Sequence, residues 1–155
     1  EAFVARAGAQ LPRKVRKSIV EETLAVLRDP QFAPLFGPTS RAEVEIVADV
    51  PDDRGRGPSL RLAGKIDRLV QDGNTIWIVD YKTNRPPPKD VAQVAEAYLL
   101  QLAAYRLAVQ RIFPGLHVRA AILWTDGPRI MEIPAGMLQA QQRRLWQREA
   151  PNLDA

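Results

Sequence analysis

The chain has 155 residues, 46% of them hydrophobic and 26% charged, and carries a formal charge of +4, which suits one domain with a real core and is short for two. No apolar run approaches the roughly 18 residues that a membrane-spanning helix needs. Cysteine is absent and histidine occurs once, so disulfides and thiolate metal sites are excluded. Any metal must sit on carboxylates and backbone oxygens, the donors preferred by Mg²⁺ or Mn²⁺. The mild basicity permits a polyanionic partner without demanding one, and a cysteine-free composition is compatible with a cytosolic protein.

Residues 1–29 read as helical. Val15, Ile19, Thr23, Val26 and Leu27 recur near the helical period, and Pro12 breaks or begins a helix. Arg13, Lys14, Arg16 and Lys17 form a basic run, either a solvated helix face or a direct DNA contact. Asp29-Pro30 stops the helix, and Phe32, Leu35 and Phe36 can pack a short turn before Gly37-Pro38. EVEIV (43–47) alternates weakly into a first strand that ends at Pro51, and PDDRGRGP (51–58) has a loop composition. A second strand spans about Leu60 to Val70 and a third Thr75 to Lys82, with a two-residue hairpin signal at Gly73-Asn74 between them. Three consecutive prolines remove three backbone donors, so Asn84 to Pro88 makes a stiff, extended connector.

Asp90 then caps a helix, with Gln93 in capping-box position. Val94, Tyr98, Leu102, Tyr105, Val109 and Ile112 form its apolar stripe, and Pro114-Gly115 ends it. His117 to Thr125 and Arg129 to Ile133 read as partner strands around Asp126-Gly127-Pro128. A last helix after Pro134 runs to about Glu149, carrying Leu138, Leu145 and Trp146. The order is α, three strands, α, two strands, α, which predicts an α/β fold: a mixed central sheet flanked by helices.

The stretch Gly64–Arg85 is chemically unusual, because it places two aspartates and a lysine in apolar strand sequence. Aspartate is depleted in strands, and a buried charge persists only when paired or bound to a metal. Strand alternation puts Asp80 and Lys82 on the face of Ile76 and Ile78. A turn at Gly73-Asn74 sets Asp67 opposite Asp80, whereas a turn at Asp72-Gly73 sets it opposite Ile78. Either register keeps the two carboxylates on one face. Facing carboxylates repel, and a divalent cation between them reverses that interaction. With Lys82 beside them, the geometry suits metal-assisted phosphodiester hydrolysis. The bland alternative is an Asp–Lys salt bridge at a sheet edge.

GKIDRLV (64–70), IVDYKTNRPPP (78–88) and the Gln101 and Tyr105 of AYLLQLAAYRLA (97–108) carry a resemblance. Over roughly residues 30–146 the chain resembles the nuclease domains of the RecB family, within the PD-(D/E)XK superfamily. Among these it looks most like the C-terminal nuclease domains of AddA-type bacterial helicase–nucleases, and ILWTDGPRIMEIP (122–134) is similar to the end of the alphaproteobacterial type. The resemblance implies a restriction-endonuclease-like core at 40–149 behind a helical lead-in at 1–29. It implies an Mg²⁺-dependent deoxyribonuclease, with Mn²⁺ an alternative, of exonuclease type on single strands. Asp67, Asp80 and Lys82 would be catalytic, and Asp67, Asp80 and the backbone carbonyl of Tyr81 would hold the metal.

Gln101 and Tyr105 match the family's Gln-X-X-X-Tyr motif and, four apart, share a helix face. They contact DNA or the site, or else Tyr105 is core and Gln101 satisfies a buried polar group. Glu43 matches an acidic residue of the first strand, either supporting the site or facing solvent. The implied partners are single-stranded DNA ends, helicase domains upstream in the same chain and an AddB-like second subunit. The implied setting is double-strand-break repair by recombination in the bacterial cytoplasm, with no membrane partner.

Family members also carry a metal-ligand histidine in an upstream Gly-X-X-X-His context. Here the only histidine, His117, follows the motif helix, and the chain begins at Glu1 rather than Met. The expectation is a fragment of a larger helicase–nuclease that starts beyond that helix and holds an incomplete ligand set. The Gly-X-X-X-X-Gly-Lys-Ser/Thr phosphate loop is absent, so ATPase work is not written in these residues. Two rivals stay open: a non-catalytic DNA-binding or scaffolding module that retains a nuclease fold, and a stand-alone nuclease of the same superfamily.

Overall fold

The computed structural model describes residues 2–52 and 58–146. Five strands lie in chain order across one sheet: β1 (Ser40–Val50), β2 (Leu60–Asp72), β3 (Thr75–Lys82), β4 (His117–Trp124) and β5 (Arg129–Ile133). Around them are helices α1 (Ala2–Ala7), α2 (Arg13–Arg28), α3 (Glu96–Ile112) and α4 (Ala135–Leu145), and 3-10 turns at Pro30–Phe36 and Val91–Gln93. Neighbouring strands are antiparallel except β3 and β4, which run parallel from Thr75 opposite His117 to Lys82 opposite Trp124. A parallel pair needs a crossover, and α3 supplies it. At about 1.5 Å per residue this helix covers roughly 25 Å, close to the length of β3, so the chain returns to the start of the sheet.

The sheet is covered on both faces. On one, Ile66, Ile76, Ile78, Ile122 and Trp124 pack with Leu99, Leu102 and Tyr105 of α3 and Leu138 and Leu145 of α4. On the other, Val70, Val79 and Leu123 meet Val26 of α2 and Phe32 and Leu35 of the first 3-10 turn. Asp29 anchors that turn by accepting a hydrogen bond from Gln31 N (3.0 Å).

Three helical expectations need correction. Asp90 caps the 3-10 turn Val91–Gln93, not α3, accepting from Ala92 N at 2.9 Å, while Gln93 Oε1 takes Lys89 N. No capping box forms. The chain then runs extended through Val94 and Ala95, which seats Val94 in the core, and α3 begins at Glu96. The helix lies between the sheet and α4 and is buried almost all round, beyond the single stripe expected of it. On α2 the periodic Val15, Ile19 and Leu27 are exposed and only Val26 is buried. Periodicity marks an apolar face but not whether another element covers it. Of the expected loop at 51–58, residues 53–57 lie outside the described residues, as do 147–149 at the expected end of the last helix; α4 ends at Leu145.

A kink in β1 and β2 positions the site. The two strands keep one register from Ser40–Val70 to Val50–Leu60 but form no pair at Glu43 and Asp67. Glu43 has φ +54°, a left-handed conformation that costs a non-glycine residue roughly 1–2 kcal/mol. Alternation reverses there. Leu60, Leu62 and Ile66 face the α3-side core, whereas beyond the kink Leu69 faces it and Val70 faces the opposite core. Pairing between β2 and β3 stops at Arg68–Val79, so the β1–β2 arm on the other side of the kink, from Leu60 to Ile66 of β2 and Val44 to Val50 of β1, has no third strand beside it. Asp67 stands at the base of the resulting fork.

Replacing Glu43 by glycine is expected to raise stability by about 0.5–1 kcal/mol in urea unfolding, because strain is relieved. The exposed Glu43–Lys65 ion pair (2.6 Å) that is lost contributes little. Glu43→Val, β-branched at the same φ, should lower stability instead.

Candidate active site

The fork opens into a cleft of about 740 Å³ lined by Asp67, Asp80, Tyr81, Lys82, Gln101 and Tyr105, with Glu45, Val47, Ala63 and Lys65 on the arm. Asp80 continues the inward face of β3 after Ile76 and Ile78, and is the one buried charged residue among the described residues. Burial pushes its carboxyl above the ordinary 3.8, against the pull of Lys82 and with a further push from the charge of Asp67. Lys82 Nζ lies 2.6 Å from Asp80 Oδ2, but off the direction of a good hydrogen bond, so that oxygen has no well-aligned donor. Asp67 Oδ2 accepts the backbone N–H of Tyr81 at 2.7 Å.

Lys82 Nζ also donates to Gln101 Oε1 (3.1 Å). Gln101 Nε2 reaches Tyr105 Oη at 3.4 Å, and Tyr105 Oη donates to the carbonyl of Lys65 (2.8 Å). One side of α3 therefore ties the end of β3 to the diverging arm of β2. The Tyr81 side chain points to the opposite face, where its Oη accepts from Arg68 Nε at 3.1 Å. Arg68 is itself held by Ser40 Oγ (3.2 Å) and by the Phe36 ring, 4.9 Å from centroid. The Tyr81 peptide is thus fixed at its N–H and through its side chain.

The structure gathers Asp67, Asp80, Tyr81, Lys82, Gln101 and Tyr105 around one cleft, and leaves Glu43 out. Glu43 is exposed and pairs with Lys65, whereas Glu45, two residues on, lines the cleft. The turn is at Gly73-Asn74, as the register from Asp72–Thr75 shows, but the ladder ends one step before Asp67 and Asp80 would pair. The reason is that β2 bends away with β1, and the Asp67 side chain takes the amide of Tyr81 instead. His117, exposed, starts β4 opposite Thr75, at the far end of β3 from Lys82. Tyr105 is both core, at 2% exposure, and a hydrogen-bond partner in the site. Sequence reasoning missed Arg68 and Tyr98. Tyr98 lies three residues before Gln101, hence on the same helix face, which was the available signal.

A family model described as the PD-(D/E)XK nuclease superfamily matches residues 2–153. The chain belongs to that superfamily. Over 68 residues it is 31% identical to an ATP-dependent helicase/nuclease subunit from Acetivibrio thermocellus, a stretch that covers 44% of this chain and 5% of that protein. The solved structure of SSO0001 aligns with 97% of this chain and 68% of its own, at 15% identity and TM-score 0.45.

Nucleases of the PD-(D/E)XK superfamily generally use divalent metal ions, and the residues in the cleft fit one. Asp67, Asp80 and the Tyr81 carbonyl would hold it, an all-oxygen donor set suited to Mg²⁺ or Mn²⁺. Two observations support the fit: the ill-satisfied Asp80 Oδ2, and the mutual opposition of the Asp67 and Asp80 charges. Among the described residues no group of three His, Cys, Asp or Glu side chains stands close enough to form a fuller ligand set.

Proposed function

We propose that this chain is the nuclease part of a longer helicase–nuclease, hydrolysing DNA phosphodiesters with Mg²⁺ at the Asp67–Asp80–Lys82 cleft. It would act exonucleolytically on single-stranded ends, beside helicase domains of the same chain and an AddB-like subunit, in cytoplasmic double-strand-break repair by recombination. The observation that carries the reading is the buried Asp80, paired with Lys82, at the base of a fork whose other strand presents Asp67 to the same cleft, in a member of this superfamily. The helicase context is supported by the likeness to a helicase/nuclease subunit.

A bound divalent cation would supply positive charge against the phosphate as its negative charge grows in the transition state. The chain's own residues do the rest. Lys82 offers ammonium donors to a phosphate oxygen or to the attacking water, while Asp80 and Gln101 hold its position. Asp67 fixes the Tyr81 peptide, and the Gln101–Tyr105 pair keeps the fork from closing or splaying.

The test is hydrolysis of end-labelled single-stranded DNA by the full-length protein in Mg²⁺. Asp67→Ala is expected to lower the rate by at least about a hundredfold. Equal rates from parent and variant would remove Asp67 from the site, and cleavage of circular single strands would replace exonuclease by endonuclease. Retention of DNA by the parent without any cutting would instead make the chain a DNA-binding scaffold.

A further inference from the structure

Lys82 is the last residue of β3, and its long, flexible stem leaves the ammonium unfixed by the backbone. Three groups surround Nζ: Asp80 at 2.6 Å, Gln101 at 3.1 Å and the ring of Tyr98, whose centroid lies 4.5 Å away. The ring is itself held from two sides. Tyr98 Oη donates to Asn84 Oδ1 (3.1 Å), just past the end of β3. Behind it the ring packs against Trp124, with centroids 6.4 Å apart and planes at 53°. Trp124 is fully buried and lies beside Lys82 in the β3–β4 pairing.

We propose that Tyr98 is a positioning residue whose ring face holds the Lys82 ammonium at the cleft, between Asp80 and Gln101. This rests on the nuclease reading above, in which Lys82 meets the phosphate or the attacking water. A ring face attracts a cation through its quadrupole without accepting its protons in directed hydrogen bonds. The ammonium therefore keeps its charge for Asp80 and its donors for Gln101 and the substrate. A further carboxylate at the same place would neutralise the charge that Lys82 presents to a phosphate. An aliphatic side chain would leave the stem free to swing.

The experiment is NMR of the metal-free protein labelled with ¹³C-lysine, together with steady-state hydrolysis by the full-length protein. The ring current shifts the Lys82 ε-methylene protons upfield, a signal assigned by its absence in Lys82→Met. The shift is expected to persist in Tyr98→Phe and to vanish in Tyr98→Leu and in Tyr98→Met, the second guarding against a poorly folded first. In those two variants kcat should fall about tenfold with KM for DNA unchanged, while Tyr98→Phe stays within about twofold of the parent. Rescue by phenylalanine is the signature that a role confined to the Asn84 hydrogen bond would not give. An unshifted ε-methylene in the parent, or parental kcat in the Leu and Met variants, overturns the proposal. If Lys82→Met cuts DNA at the parental rate, the nuclease reading of Lys82 falls as well. If Lys82→Met is inactive while Tyr98→Leu is fully active, only the assignment of Tyr98 falls.

Discussion

Asp80→Asn should reduce hydrolysis by about a thousandfold or more and remove the stabilisation expected of Mg²⁺ in the parent protein under the proposed function. The Asp80 side chain is only 5% exposed, and asparagine keeps its shape while removing the charge that draws a cation into the cleft. A ligand that binds only the native state stabilises it by about 2.7 kcal/mol at a hundredfold excess over its Kd. For a domain of this size that is a rise in Tm of roughly 5–10 °C, which the variant should lack. Melts with and without Mg²⁺ measure it, and a variant that shifts as much as the parent excludes Asp80 as a ligand.

The pH dependence follows from the raised pKa. The native state holds the Asp80 proton more tightly than the unfolded chain does, so its stabilising contribution is full below 3.8 and is lost as pH rises through the raised native value. In metal-free protein the Tm of Asp80→Asn should therefore gain on the parent across that window. Proton and cation compete for the same carboxylate, so the parental Mg²⁺ shift should weaken as pH falls through the same range.

The residues that declared themselves in sequence did so through violations of local rules. Aspartate and lysine at the end of an apolar strand are conspicuous because strands disfavour them. The glycine at 73 marked the hairpin but left two registers open, because Asp72-Gly73 and Gly73-Asn74 both suit a two-residue loop; the pairing of Asp72 with Thr75 selects the second, with Gly73 at φ +55°. The kink at Glu43 had no such signal, since a glutamate at positive φ is sustained by its surroundings and not by its own preference. The start of α3 was missed for a related reason. Burial of Val94 outweighs a well-formed capping sequence, and that burial depends on strands far away in the chain. Tyr98 sat in plain view on an apolar stripe, where core packing explains it as well as a contact with Lys82 does. Only the position of Lys82 relative to α3, a consequence of the crossover, separates the two roles.

Lys82→Met should abolish hydrolysis by a different route, one that leaves metal binding intact or strengthened. Methionine replaces the stem but not the ammonium, so Asp80 is left buried beside Asp67 with its counter-charge removed. Breaking a buried pair in this way costs about 3 kcal/mol, expected as a lower urea midpoint in metal-free protein at neutral pH. A cation in the cleft replaces the missing charge. Mg²⁺ should therefore stabilise Lys82→Met by more than it stabilises the parent, the reverse of Asp80→Asn. Combining the two substitutions removes both charges and should cost less stability than Lys82→Met alone, a coupling that a double-mutant cycle reads directly. Urea unfolding with and without Mg²⁺, beside the hydrolysis assay, checks all three variants. Near-parental hydrolysis by Lys82→Met would show that the lysine only balances Asp80. A Mg²⁺ stabilisation smaller than the parent's would show that Lys82, and not a cation, is what the two carboxylates are built around.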